Sequence, residues 1–261
     1  MARKIVVTSG KGGVGKTTIV SALGVSFAKL GVKVLLVDMD FGLNNLDILM
    51  NIENKIVYDI IDVLENRCEP RQAVIQDFYE NNLYILPSTH GFCRVKFGAK
   101  ELMTIIGALE KHFDIILIDC PAGIDGGFRR AVGCGSEFIV VTTPHLSAIR
   151  DAHKALKVID CDNKKIIVNR VRGDLILDGE MLSIESIKEF LKEDVIGIIP
   201  DDDVVTLQLY NGDRWSRFSS FFESIKMTAK NIIFDESRLF DCTKKYRGII
   251  GGFRRKVKRR V

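Results

Sequence analysis

The segment 9–18, SGKGGVGKTT, constrains the fold more than any other part of this 261-residue chain. It follows an apolar run, RKIVVT, typical of a buried strand, and it precedes an apolar pattern with helical spacing. Four of its residues match the pattern G-x-x-x-x-G-K followed by Ser or Thr: Gly10, Gly15, Lys16 and Thr17. In such a loop the backbone N–H groups close around phosphate oxygens, and the N-terminus of the next helix adds its dipole. The sequence therefore predicts a phosphate-binding loop at the edge of a parallel sheet.

Short runs rich in Ile, Val and Leu alternate with helical patterns along the rest of the chain. This alternation predicts an α/β fold, with a single mostly parallel twisted sheet flanked by helices on both faces. We predict strands at residues 4–8, 33–38, 83–86, 114–119, 137–142, 165–169 and 194–199. We predict helices at residues 16–30, 99–112, 147–159, 183–191 and 216–231. We expect one domain, 1–243, followed by a C-terminal appendage, 244–261.

Composition narrows the class of protein. Hydrophobic residues make up 46% of the chain and charged residues 28%, as in one large domain that buries an apolar core. No apolar run reaches the ~18–20 residues of a membrane span, and no signal peptide precedes the first strand, so we expect a cytoplasmic protein. The six cysteines form no paired motif, which favours reduced thiols over a disulfide or metal site.

Charge is distributed unevenly along the chain. Residues 244–261 carry nine basic residues and no acidic one, whereas the first 243 residues carry 29 basic and 34 acidic ones, a net charge of −5. An anionic partner is expected for such a tail, either a nucleic acid or a lipid surface.

The apolar residues of this tail have helical spacing. At about 100° per residue they fall in one sector of roughly 120°: Tyr246, Ile249, Ile250, Phe253, Val257 and Val261. A basic amphipathic segment of this kind lies in a membrane interface, whereas a regular apolar stripe has no purpose on DNA. The residues expected to contact the membrane are Tyr246, Ile249, Ile250, Phe253, Arg254 and Val257.

Three carboxylates lie at the ends of two predicted strands, where a parallel sheet places its ligands. Asp38 ends one of these strands, and Asp40 follows it two residues later. Asp119 closes the run IILID, a Walker B–like position that would hold Mg²⁺ through water. Thr17 would give the metal its hydroxyl, with Asp38 supporting the metal shell and Asp40 orienting the attacking water. Together with Lys16 on the β- and γ-phosphates, these residues predict a nucleoside triphosphate·Mg²⁺ site.

The residues KGGVGKTT resemble the deviant Walker A ATPases, which carry a second lysine early in the phosphate loop. In that family this lysine reaches across a dimer interface to the nucleotide of the other subunit. The resemblance implies that Lys16 serves its own nucleotide and Lys11 that of its neighbour, so that hydrolysis depends on dimerisation. The predicted catalytic residues are Lys11, Lys16 and Asp40.

Further motifs resemble the MinD family within these ATPases. DMDFGLNNLD (residues 38–47) and DCPAGI (residues 119–124) are similar to its two switch regions, and the proline–glutamine–glycine sequence typical of ParA partition proteins is absent. IIVNRV and IIPDDD are similar to its base-binding segments. The ATP-binding residues implied are Lys11, Gly12, Gly13, Val14, Gly15, Lys16, Thr17, Thr18, Asn169, Arg170, Pro200, Asp201 and Asp202.

This resemblance implies a cytoplasmic protein that binds peripherally to the inner face of the cell membrane and forms a homodimer when ATP is bound. It also implies that the protein recruits a MinC-like septum inhibitor, and some members of the family bind a MinE-like activator as well. TTPHLSAIRDAHK resembles the helix that receives these partners, with His145 and His153 where the family usually has acidic residues. The expected partner surface is Ser147, Arg150, Asp151 and His153. The alternatives are a ParA-type partition ATPase and a MinD-like regulator of flagellar placement; an iron–sulfur carrier would need paired cysteines.

Overall fold

An eight-stranded sheet forms the centre of the protein, with the strand order β3-β4-β2-β5-β1-β6-β7-β8. The computed structural model describes residues 1–41, 45–88, 96–203, 205, 219–248 and 251–252. Its strands are β1 Arg3–Thr8, β2 Val34–Asp38, β3 Ile75–Gln76, β4 Leu83–Leu86, β5 Ile115–Asp119, β6 Glu137–Thr142, β7 Lys164–Val171 and β8 Asp194–Pro200. All neighbouring pairs are parallel except β3 with β4. The carboxyl ends of the parallel strands therefore meet at one edge of the sheet.

Helices connect the strands and cover both faces of the sheet. They are α1 Lys16–Lys29, α2 Leu46–Met50, α3 Ile60–Leu64, α4 Ala99–Glu110, α5 Gly126–Val132, α6 Leu146–Val158, α7 Gly173–Leu177, α8 Ile184–Leu191 and α9 Ser220–Phe234. Within the described ranges, 3₁₀ turns lie at Glu53–Lys55, Pro70–Ala73 and Lys244–Tyr246. One apolar core joins α1 and α9 to the sheet, and the other joins α3, α4, α5, α6 and α8 to the opposite face.

The predicted fold class is confirmed, and the seven predicted strands are present with ends that differ by at most two residues. The sequence did not predict β3 or the short helices α2, α3, α5 and α7. The last predicted helix, 216–231, corresponds to α9, which begins at Ser220 after the cap residue Ser219, whose Oγ accepts from Phe222 N–H at 3.1 Å. Residues 216–218 of this prediction lie outside the described residues. None of the helices in the described ranges is long and apolar enough to cross a membrane.

Candidate nucleotide site

The phosphate-binding loop joins β1 to α1 at the carboxyl edge of the sheet. Gly13 (φ 78°) and Gly15 (φ 90°) take left-handed conformations that other residues rarely adopt, and Gly15 caps α1. The end of β7 fixes this loop from the side, because Asn169 Nδ2 donates to the carbonyl of Val14 at 2.8 Å. A Cβ at position 15 would overlap that amide group. The loop is therefore shaped by both its own glycines and a distant strand.

Lys16 lies among the carboxylates that the strand ends supply. Asp38 and Asp119 are register partners at the ends of β2 and β5, and each is only 1% exposed. The Lys16 ammonium, itself 6% exposed, is 2.5 Å from Asp119 Oδ1 and 3.9 Å from Asp40 Oδ2. Thr17 Oγ1 is 3.5 Å from the same nitrogen. The structure thus brings together the predicted phosphate lysine, the predicted metal ligands and the predicted water-orienting carboxylate.

Burial controls the ionisation of this cluster. Desolvation, followed by the charge of Asp119, raises the pKa of Asp38 to about 7, although a hydrogen bond from Asp40 N–H opposes the rise. Burial also raises the pKa of Asp40, and Lys16 lowers it. Desolvation lowers the pKa of Lys16, but Asp119 and Asp40 outweigh it, so this pKa stays above its usual value. One ammonium therefore lies among three closely spaced carboxylates, and the pKa values of two of them, Asp38 and Asp40, are raised.

The donor set fits a magnesium ion held together with a nucleotide. Asp119 Oδ2 is buried and has no hydrogen-bond partner among the described residues, so it can accept from a metal-bound water. Thr17 adds a hydroxyl beside it. Across the part of the chain that the structure describes, no group of three or more His, Cys, Asp or Glu side chains could hold a metal. Mg²⁺ keeps waters and takes phosphate oxygens readily, so the nucleotide would complete its shell.

A cavity of about 500 Å³ opens above the loop. Its walls are Ser9, Gly12, Gly13, Gly15, Lys16, Thr17, Thr18, Asp40, Asn45, Ile48, Leu49, Pro121, Ala122 and Arg170. A smaller one of about 60 Å³ shares Gly15, Thr18 and Arg170 with it. The five residues predicted near the base all line this second cavity: Asn169, Arg170, Pro200, Asp201 and Asp202. The residues predicted to hold the base thus lie directly beside those predicted to hold the phosphates.

Sequence reasoning missed several walls of these cavities. Ile48 and Leu49 belong to α2, which is too short to leave a periodic pattern, and Asn45 directly precedes this helix. Phe221, at the start of α9, is buried and lines the small cavity. Its N–H donates to Asp202 Oδ2 at 3.2 Å. Asn45, Pro121 and Ala122 had a signal, since they belong to the motifs at residues 38–47 and 119–124.

The second lysine of the loop, Lys11, is exposed and does not line the cavity. Among the described residues its ammonium forms no ion pair, and its carbonyl accepts from Ser9 Oγ at 3.0 Å. No acidic group in the described ranges therefore pairs with its charge.

The predicted partner surface lies on α6, whose backbone also touches the phosphate-binding loop. Ser147 and Arg150 are exposed, and Asp151 is half-buried and pairs with Lys154 at 3.0 Å. The ring of His153 lies edge-on to Phe190 of α8, 5.3 Å between centroids. On the inner side of α6, a Cβ added at Gly10 would overlap the carbonyl of Asp151.

The predicted membrane segment is described only at its beginning. Tyr246 is 5% exposed, so in this structure it packs in the domain and not on an exposed apolar face. The packed part of the chain thus extends beyond the expected boundary at residue 243. Ile249, Ile250, Phe253, Arg254 and Val257 lie outside the described residues.

Comparisons with known proteins point in one direction. A family model described as an AAA domain matches residues 2–170. The septum site-determining protein MinD of Synechocystis sp. is 43% identical over 216 residues, which are 82% of this chain and 81% of that protein. A chain in the structure of the MinC:MinD cell division protein complex of Aquifex aeolicus is 38% identical to this chain, with a TM-score of 0.84. The match covers 91% of this chain and 97% of the chain in that structure. MinD complexed with Mg-ADP from Pyrococcus horikoshii is 29% identical with a TM-score of 0.80, covering 89% and 96%.

Proposed function

Because the chain belongs to the MinD family of septum site-determining ATPases, we propose that it is an ATP-switched dimer. In this proposal it binds the inner face of the cell membrane with ATP, recruits a septum inhibitor there, and leaves when ATP is hydrolysed. The observation that carries the proposal is the contact of Lys16 with Asp119 and Asp40 beside an open phosphate-binding loop. Such a cluster of buried charge is expected where phosphates and a metal bind.

In the proposed reaction, phosphate oxygens replace Asp119 as the partners of the Lys16 ammonium. Asp119 is then free to accept from water, together with the Thr17 hydroxyl. Bound Mg²⁺ would neutralise charge on the β- and γ-phosphates. Asp40 lines the same cavity and can orient the attacking water. P-loop ATPases act mainly by such positioning and charge stabilisation.

In this proposal Lys11 acts on the nucleotide of the second subunit. It is exposed and unpaired within its own described chain, so its charge is available to a neighbour. A cation supplied in trans stabilises charge that develops on the transferred phosphoryl group, as arginine fingers do. Hydrolysis then requires a dimer, and we expect the rate per subunit to rise with protein concentration in the wild type but not in Lys11→Ala.

Dimerisation would also govern membrane binding. Each basic side chain near an anionic leaflet contributes about 1 kcal/mol at most, and ordering the backbone costs about 1–2 kcal/mol per residue. Gly248, Gly251 and Gly252 weaken a helix by almost 1 kcal/mol each relative to alanine. One tail therefore binds weakly, whereas two tails on one dimer gain from effective concentration.

The exposed face of α6 is the proposed docking site for the septum inhibitor. A relative has been solved as a MinC:MinD complex, which supports a MinC-like partner for this chain. Leu146 is 69% exposed beside Ser147 and Arg150, so this face offers an apolar contact next to a charge. A MinE-like activator belongs to the same proposal without a separate observation in its favour.

Sedimentation with vesicles of phosphatidylglycerol and phosphatidylethanolamine tests the switch. The wild type should sediment in ATP·Mg²⁺ and remain in solution in ADP·Mg²⁺, and Lys11→Ala should remain in solution in both. If Lys11→Ala binds as well as the wild type at equal concentration, dimerisation does not control the membrane. Equal wild-type binding in both nucleotides would make the tail a constitutive anchor or a polyanion binder, and the ParA-type alternative would then be tested on DNA.

A further inference from the structure

Residues 169–174 comprise the irregular end of β7 and the start of α7; we call them the β7–α7 loop, and it has two sides. On one side Asn169 and Arg170 line the proposed base site. On the other side, residues 172–174 support the start of the tail, because the 3₁₀ turn Lys244–Tyr246 packs on α7. We call residues 242–246 the tail root. One short loop thus contacts both the nucleotide cavity and the segment that leads to the tail.

The contact between this loop and the tail root is close. The backbone of Gly173 meets the carbonyl of Cys242 so tightly that a Cβ at position 173 would overlap it. Cys242 is 6% and Tyr246 5% exposed, so both ends of the tail root are buried. Desolvation and then Asp174 raise the pKa of the Tyr246 phenol, while Arg172 lowers it, which places this ring beside the loop.

The same loop is held in an unfavourable backbone conformation where it meets the base site. Arg170 has φ 57°, a region that costs a residue with a Cβ about 1 kcal/mol or more. Such a conformation persists only when its surroundings fix it. On the side of the base, Asp201 N–H donates to the carbonyl of Val171 at 3.1 Å. On the other side, Arg172 forms a bidentate pair with the buried Asp174, at 2.9 and 2.6 Å, next to the tail root.

We propose that the tail root positions the β7–α7 loop, so that docking of residues 242–246 and binding of the nucleotide base favour each other. Gly173 and Tyr246 are positioning residues in this arrangement: they hold Arg170 in place and do not touch the nucleotide. The coupling acts through the base, which ATP and ADP share, and is therefore separate from the switch between the two nucleotides. A site already held in its binding conformation needs less ordering when the ligand arrives. The inference rests on the proposed nucleotide site.

Calorimetric titration of the full chain with ADP·Mg²⁺ and with pyrophosphate·Mg²⁺ tests the coupling, because pyrophosphate fills the phosphate site without reaching the base site. Gly173→Ala and Tyr246→Ala should each lower the affinity for ADP about tenfold, within the usual range of coupling between sites. Their affinity for pyrophosphate should stay within twofold of the wild type, and Tyr246→Phe should restore ADP binding by keeping the ring. The matched controls are Gly107→Ala, where a Cβ meets nothing within 4 Å, and Tyr79→Ala, at a tyrosine that is 61% exposed.

Unchanged ADP affinity in these variants overturns the inference, and so does an equal loss for ADP and pyrophosphate, which would report a loosened site. If Gly173→Ala does not fold, Tyr246→Ala and its rescue by Tyr246→Phe carry the test. Since coupling is reciprocal, ADP should also slow amide hydrogen exchange in residues 243–248 of the wild type, and pyrophosphate should not. No slowing with ADP is contrary to the inference. Wild type that fails to bind ADP overturns the nucleotide site itself, whereas normal ADP binding without coupling overturns only this inference.

Discussion

At the scale of single residues, Asp38 carries its carboxyl group where a negative charge is unfavourable. Its pKa is raised from 3.8 to about 7 in the folded protein, chiefly by burial and then by Asp119. The folded state therefore binds a proton more tightly than the unfolded state does. The buried charge of Asp38 lowers the free energy of unfolding. This loss of stability is absent below about pH 4, grows as the pH rises, and is complete above about pH 7. Without nucleotide, this residue makes the protein less stable in neutral and alkaline solution.

Replacing Asp38 with Asn tests this account. Asn keeps an oxygen that can accept from Asp40 N–H, but it carries no charge. In nucleotide-free protein, Asp38→Asn should raise the melting temperature at pH 8 on the order of 5 °C, and the gain should vanish towards pH 4. Calorimetric melting between pH 4 and pH 8 measures it, with Asp160→Asn at an exposed position as the control. A gain that stays constant across this range contradicts the assignment to Asp38 ionisation.

The two lysines of the loop should differ in stability as well as in chemistry. Lys16 is buried against two carboxylates, whereas Lys11 is exposed. Removing one partner of a buried ion pair typically costs 3–5 kcal/mol, and removing an exposed charge less than about 0.5 kcal/mol. Urea unfolding at pH 8 without nucleotide should therefore show Lys16→Ala destabilised by about 3 kcal/mol and Lys11→Ala almost unchanged. Equal free energies of unfolding for the two variants would mean that Lys16 does not stabilise the buried charges of Asp119 and Asp40.

At the scale of elements, α6 and the phosphate-binding loop share a backbone contact. A Cβ at Gly10 would overlap the carbonyl of Asp151, and neither backbone can move cheaply. Gly10→Ala should therefore displace the loop itself and weaken ADP·Mg²⁺ and pyrophosphate·Mg²⁺ together, each at least tenfold, unlike Gly173→Ala. Calorimetric titration measures both, with Gly107→Ala as the control. Pyrophosphate affinity that survives in Gly10→Ala would show that α6 does not shape the phosphate site.

The elements also show what local sequence can predict. Strands such as β2 and β5 are fully buried, so each is a continuous run of Ile, Val and Leu that ends at an aspartate. β3 has two residues and α2 five, which is too short for a period to appear. The phosphate-binding loop and its carboxylates could be predicted because they belong to sequence motifs. The cavity walls formed by α2 and by Phe221 could not, because packing between distant segments brings these residues to the cavity. Tyr246 is buried in the domain, and periodicity alone does not say whether the domain or a membrane covers an apolar position.

At the scale of the whole molecule, an acidic domain carries a strongly basic tail. The first 243 residues have a net charge of −5 and the last 18 have nine positive charges, so an anionic surface attracts the tail and repels the rest. Attraction of this kind acts on lipid and on nucleic acid alike. The apolar residues of the tail beyond Tyr246 distinguish the two partners, because a membrane can bury apolar side chains and a nucleic acid backbone cannot.

Phe253→Asp uses that difference. It replaces an apolar side chain, whose burial contributes about 1.5–3 kcal/mol, with a negative charge, and a dimer carries this change on both tails. In ATP·Mg²⁺, affinity for phosphatidylglycerol vesicles should fall at least 100-fold, while affinity for a short DNA duplex falls only several-fold. Lys258→Gln, which removes one charge from the polar side of the tail, is the matched control and should weaken both partners modestly. If Phe253→Asp sediments with vesicles like Lys258→Gln, or loses DNA and lipid in parallel, the tail binds polyanions in general and the apolar stripe has no role at a membrane.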